Sequence, residues 1–279
     1  MTTQVSARES VGSALRFVRE HWRLVAIMAA VGAALTAALV ALSQSSPIVA
    51  IFADVANWLV QAFVFAALVK AALGNAQRIE ASEGLRMFGA MVVVGFFLFL
   101  AFFVLMIPGA IVLIAGPMSP YLADMQAAGQ DQAAMMRVMT RFAQENPAPL
   151  LAFFAFYGIL WFLLTSRLYL AAPATADARR VRTFDTWRWT RGMTLKIAGA
   201  RIMLLVPAFV LMAALAYLAA RALGIDPTSA TGRPPPALFT AYVAIDRILF
   251  FATYLALEAG LSTALYRALK PSESALPKV

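Results

Sequence analysis

Six stretches of the chain stay apolar for about 18 residues or more, the length at which an uncharged helix begins to match a bilayer's hydrocarbon core. They cover residues 24–42, 48–73, 87–116, 150–172, 197–223 and 237–269. The first carries no ionisable residue, and the third is uncharged and, at about 1.5 Å per residue, longer than the roughly 30 Å core. Pro108-Gly109 is expected to kink that third helix or end its straight part, because proline removes a backbone donor and crowds the preceding turn. Together these runs predict an all-α fold, a polytopic membrane helical bundle with six transmembrane helices. Residues 1–270 are expected to form a single integral membrane domain and 271–279 a disordered tail. The first apolar run has 19 residues and a long polar arm before it, so it reads as a retained span rather than a cleaved signal peptide.

A shorter pattern recurs ahead of alternate spans. Ala14-Leu15-Arg16-Phe17 precedes the first, Gly84-Leu85-Arg86-Met87-Phe88 the third, and Thr186-Trp187-Arg188-Trp189 the fifth. Each sets an arginine between bulky apolar residues, and an outgoing and a returning helix follow. This predicts a three-fold repeat of an amphipathic surface helix plus a transmembrane hairpin. In the first surface helix Val11, Leu15, Val18 and Trp22 recur at helical spacing, with Arg16, Arg19, Glu20 and Arg23 off that stripe. The third, over 178–196, combines six basic residues with Phe184, Trp187 and Trp189.

Composition agrees with the pattern: 62% of the 279 residues are hydrophobic and only 13% charged, against about 25% charged in soluble domains. Cysteine is absent, which removes disulfide, thiolate and iron–sulfur chemistry. The formal charge of +9 sharpens the topology, because 18 of the 23 Lys and Arg residues fall on one side of the predicted spans. By the positive-inside rule that side is cytoplasmic, with both termini inside. Arg16, Arg19, Arg86, Arg179, Arg180, Arg182, Arg188 and Arg191, with Trp187 and Trp189, are the candidate headgroup-facing residues. Basic, tryptophan-bearing amphipathic helices suit the anionic headgroup layer. No nucleic-acid partner is expected, since no recognition fold accompanies the basic residues. A homo-oligomer or a second membrane protein is a possible further partner.

Polar residues inside spans are costly and therefore candidates for function. In the second span Asp54, Asn57 and Gln61 share one helical face; in the sixth Arg247, Tyr254 and Glu258 do, with Asp246 beside them. Two readings stand: a polar cavity between these helices for a solute or ion, or interhelical pairs that hold the bundle together. Arg247 is within reach of either aspartate, and Arg167 or Arg201 of Glu258. Between the third and fourth spans, Met135, Met136, Met139 and Phe142 recur at helical spacing, predicting an amphipathic helix on the outer surface. Five methionines fall between Met118 and Met139, yet no histidine or cysteine joins them, so no metal site is expected. No cofactor and no catalytic residue is expected either. The only histidine, His21, sits beside Trp22, and no hydrolase, metalloprotease or phosphate-loop motif is present.

The run from Arg167-Leu-Tyr-Leu to Ala-Pro-Ala-Thr175, then Thr186-Trp-Arg-Trp-Thr-Arg-Gly192, then Ala264-Leu-Tyr-Arg-Ala-Leu269 resembles bacterial six-helix inner-membrane proteins. These are similar to the membrane domain fused to some glycerophosphoryl diester phosphodiesterases. The resemblance implies an inner-membrane bundle with a cytoplasmic elbow and association with lipid or envelope, and it carries over no catalytic residue. The expected function is a non-enzymatic component engaging anionic phospholipid or envelope partners. The alternative is a transporter or channel using the polar residues of the second and sixth spans.

Overall fold

The computed structural model describes residues 6–75, 80–225 and 235–271. The expected tail lies outside the described residues, except at Pro271. Among the described residues all regular structure is helical, and six helices are long and apolar enough to cross a membrane. The chain is a multi-pass membrane protein. Helix α1 (Ala7–Glu20) leads into the first span, α2 (Trp22–Ser43), followed by α3 (Pro47–Ala72) and α4 (Ala81–Ala115). Then come α5 (Leu122–Ala128), α6 (Gln132–Glu145), α7 (Pro147–Arg167), α8 (Ala171–Ala178) and α9 (Phe184–Trp189). The fifth span is α10 (Thr194–Ala222); the sixth joins α11 (Pro236–Leu249) to α12 (Ala256–Leu269) through π-helical turns at Phe250–Leu255.

The chain divides into two compact units, Met1–Val94 with Ser166–Val279, and Gly95–Thr165. In the first unit α12 is the hub, packing on α1, α3, α8 and α10. Between membrane helices, close approach of small residues replaces hydrophobic collapse as the source of cohesion. That rule is visible twice. A Cβ on Gly32 of α2 would lie 2.8 Å from the Phe251 ring, so the glycine makes room for a fully buried ring of the π-helical segment. A Cβ on Gly260 of α12 would lie 3.0 Å from the Ala14 Cα of α1.

That contact explains a departure from the predicted amphipathic stripe. The face of α1 that is buried runs through Ser10, Ala14 and Phe17, whereas Leu15 and Trp22 are 52% and 60% exposed. Small residues bring α1 onto α12 beside Phe17; of the predicted stripe, Val11 and Val18 pack partly against the core, and Leu15 and Trp22 face outward.

Two further expectations change. The predicted span 150–172 is broken after Arg167, and α8 restarts at Ala171. Pro173 supplies the reason: in a continuous helix its ring would meet the carbonyl of Tyr169, whereas near the start of α8 a missing N–H costs nothing. The repeat also differs between units. Among the described residues no separate surface helix precedes the third span, because the Gly84–Phe88 motif lies in the opening turns of α4 itself. Gly84 packs directly against the Phe63 ring and Lys70 Nζ pairs with Glu83 at 2.9 Å, so α4 starts docked on α3.

The second unit pairs residues 95–115 of α4 with α7 through Tyr157. Its ring lies against Gly109, and its hydroxyl donates to the Leu105 carbonyl at 3.1 Å. That carbonyl is one residue beyond Val104, whose amide partner Pro108 removes. Helices α5 and α6 close over Phe142, which is buried beside Tyr121 and Met118. Asp131 caps α6 by accepting from the Ala133 and Ala134 amides at 2.9 and 3.1 Å. The predicted amphipathic helix is thus present as α6. The Tyr121 hydroxyl donates to the Glu145 carboxylate and accepts from Asn146 Nδ2 at 2.9 Å, and Arg141 pairs with Asp124. The Glu145 carboxylate holds the Tyr121 phenol above its ordinary titration range.

Candidate functional site

The residues singled out in the second and sixth spans do not form one cluster. Helices α3 and α11 each pack along α2 rather than on each other. Asn57 is tied to α2, its Oδ1 accepting from Thr36 Oγ1 at 2.9 Å, while Asp54 is exposed and Gln61 half-buried. Arg247 pairs with its neighbour Asp246, Nε to Oδ2 at 3.7 Å, and its guanidinium lies 5.6 Å from the Phe250 ring centroid. Tyr254 stacks on Phe250 with centroids 5.7 Å apart. Arg247 therefore balances Asp246 from the same helix, one residue away, and not Asp54.

Glu258 belongs to a different group. Buried Arg201 of α10 donates from Nη1 to Ser166 Oγ at 2.7 Å and lies 4.7 Å from the Tyr169 ring centroid. The Tyr169 hydroxyl donates to the Glu258 carbonyl at 3.5 Å, and the Arg201 charge acts on both Glu258 and Tyr254. Of the two arginines expected near Glu258, Arg201 is the one linked to it, through the Tyr169 ring and hydroxyl. Arg167 instead sits 4.6 Å from the Trp187 ring centroid and donates from Nη2 to the Trp187 carbonyl at 2.9 Å.

These contacts build the elbow between the fourth and fifth spans. Thr190 Oγ1 donates to the Arg167 carbonyl at 2.9 Å, and Thr175 Oγ1 accepts from the Arg182 amide at 3.1 Å. The Tyr266 hydroxyl and Lys270 Nζ both donate to Asp177 Oδ2 at 2.6 Å. Ser166, Tyr169, Asp177 and Tyr266 were not singled out as site residues from sequence. Their partners lie 35 residues away or more, beyond any periodic signal, although Tyr169 and Tyr266 fall within the motifs quoted above.

The predicted amphipathic helix over 178–196 is broken in the same region. Arg179 ends α8 in the left-handed conformation at φ 51°, and Gly192 turns the chain at φ 78°. Arg86 stabilises the first turn: its Nη1 donates to the Arg179 carbonyl at 2.6 Å and its Nε to the Ser82 carbonyl at 3.0 Å. Arg182 and Arg188 both pair with Asp185, at 3.7 and 3.0 Å. Trp187 and Trp189 pack inward, on Arg167 and on Tyr266, the latter with centroids 6.1 Å apart. Arg179, Arg180 and Arg191 remain exposed, with no carboxylate partner among the described residues. Beside them Val181, Phe184 and Leu195 are 45%, 52% and 76% exposed. On the first surface helix, Arg16 and Arg19 are exposed and Arg16 Nη2 reaches only Ser13 Oγ, at 3.4 Å.

What this arrangement offers chemically is a rigid, hydrogen-bonded elbow that presents guanidinium groups and apolar side chains from one short segment. No family model, curated protein or solved structure matches the chain.

Proposed function

We propose that this is a non-enzymatic inner-membrane protein, with both termini in the cytoplasm, that engages anionic phospholipid through the basic elbow. One observation carries the reading. Within residues 179–195, unpaired exposed arginines alternate with exposed Val181, Phe184 and Leu195. A guanidinium in water gains little from burying such neighbours, whereas at a bilayer surface the apolar groups enter the acyl boundary and the charges meet phosphates. Each such arginine contributes on the order of 1 kcal/mol on an anionic surface. The resemblance of the elbow to membrane domains joined to glycerophosphodiester-cleaving enzymes points to the same setting.

Native mass spectrometry of the detergent-purified protein, titrated with phosphatidylglycerol, tests this reading. Replacing Arg179, Arg180 and Arg191 together by Gln is expected to cut lipid retention by about a hundredfold, the sum of these surface terms. Unchanged retention contradicts it.

A second reading, transport of a small solute or ion, draws on the π-helical segment next to the Arg201–Tyr254–Glu258 group, since such irregular turns are frequent at working sites. Solute or proton flux in proteoliposomes that Glu258→Gln abolishes would favour it.

A further inference from the structure

A groove of about 670 Å³ opens between α1, the end of α3 and the end of α12. It shares no residue with the 179–195 segment. Its floor is apolar, formed by Ala71 and Ala72 of α3 and Gly260 and Ala264 of α12. Its rim carries two carboxylates, Glu9 and Glu20, and two guanidiniums, Arg16 and Arg267. Arg16 and Glu20 stand four residues apart on one helix, a spacing at which opposite charges commonly pair. Here they do not: Arg16 turns to Ser13 Oγ at 3.4 Å, and none of the four has an ion-pair partner among the described residues.

Besides Ser6, Ser10 and Ser13, two neutral donor or acceptor groups bear on what the groove can hold. Thr263 is 2% exposed and its Oγ1 has no hydrogen-bond partner, which is costly for a buried hydroxyl. His21 lines the groove with its Nδ1–H committed to the Phe17 carbonyl at 3.2 Å, which in the neutral ring leaves Nε2 an acceptor. The groove is therefore electrically balanced on an otherwise basic side of the chain. Its unpaired charges of both signs suit a ligand that carries both.

We propose that this groove binds the headgroup of an ethanolamine phospholipid. The guanidiniums of Arg16 and Arg267 and the Thr263 hydroxyl take the phosphodiester, and Glu9, Glu20 and His21 Nε2 take the primary ammonium. The acyl chains lead away along the apolar floor, which consists of the ends of two spans and so lies at headgroup level. A quaternary ammonium has no N–H to donate and is bound instead by several aromatic faces, which the rim lacks.

Native mass spectrometry of the full chain, titrated separately with phosphatidylethanolamine and phosphatidylcholine of equal acyl length, tests this. The ethanolamine lipid is expected to be retained about tenfold better, the weight of one charge-assisted hydrogen bond. Glu20→Gln and Arg267→Gln, both at exposed positions, are each expected to remove that preference, and Thr263→Val to weaken it. The combined Arg179, Arg180 and Arg191 variant is expected to keep it, which separates this site from the anionic-lipid surface. Equal retention of the two lipids, or a preference untouched by Glu20→Gln, overturns the proposal. Displacement by soluble glycerophosphoethanolamine at equal concentration overturns the lipid as the source of the headgroup.

Discussion

The two compact units solve the problem of being a membrane protein differently. In the first, half of the apolar window of the sixth span is buried within the protein, and polar side chains such as Ser166, Thr186, Thr190 and Arg201 are buried with it. In the third and fourth spans, which supply the second unit's long helices, the corresponding windows are 11% and 6% buried. The second unit keeps its polar contacts in the α5–α6 cap, at Tyr121, Glu145 and Asn146. Burying polar groups within a membrane protein is expensive, and the elbow's hydrogen bonds offset much of that cost. A largely lipid-exposed hairpin with a small polar cap has little such cost to offset.

Substitutions in the two units sharpen this contrast. The largest effect is expected from Phe251→Ala in the first unit, which empties the space Gly32 provides and costs roughly 3–5 kcal/mol. The matching change Phe99→Ala, at a side chain 65% exposed, is expected to stay within about 0.5 kcal/mol. Thermal unfolding of both variants in detergent checks this, and equal losses would erase the distinction between the units. Next, Arg201→Ala removes the charged hydrogen bond to Ser166 and the stacking on Tyr169, at about 1.5–3 kcal/mol, and Arg201→Lys is expected to recover only part of it.

A smaller, pH-dependent effect belongs to the second unit. The Tyr121 phenol titrates above its ordinary value of 10, so its protonated form is favoured by folding. Its contribution is complete below pH 10 and is lost as the pH rises through the raised value. Melting curves taken from neutral pH upward are expected to show this loss in the native chain and not in Tyr121→Phe. Smallest of all, the combined Arg179, Arg180 and Arg191 to Gln variant is expected to leave stability within about 0.5 kcal/mol, since these side chains are exposed and unpaired. A large destabilisation there would mean that the arginines hold the elbow together.

Much of this architecture is legible along the chain because hydrophobic length is a local property. The six apolar runs become six helices within a few residues of their expected ends, and the amphipathic stripe between the third and fourth spans becomes α6. What depends on packing was not legible. The stripe through Leu15 and Trp22 was the obvious apolar face of α1, but the buried face runs through Ser10 and Ala14, chosen by Gly260 on a helix some 240 residues on. Arg247 was within reach of either Asp54 or Asp246, yet span order carries no information about which helix packs on which, and both α3 and α11 pack along α2. Glu258 with Arg201 was foreseeable, because both sit within apolar helices near the same side. Ser166 and Tyr169, which hold that arginine, fit an apolar helix end too well to stand out.

The basic elbow as a lipid-engaging surface is tested most directly by hydrogen–deuterium exchange of the protein in nanodiscs, comparing phosphatidylcholine alone with added phosphatidylglycerol. Anionic lipid is expected to slow amide exchange within residues 179–192 and to leave the α5–α6 cap unchanged. Protection confined to residues 119–146, or no change at the elbow, would contradict it.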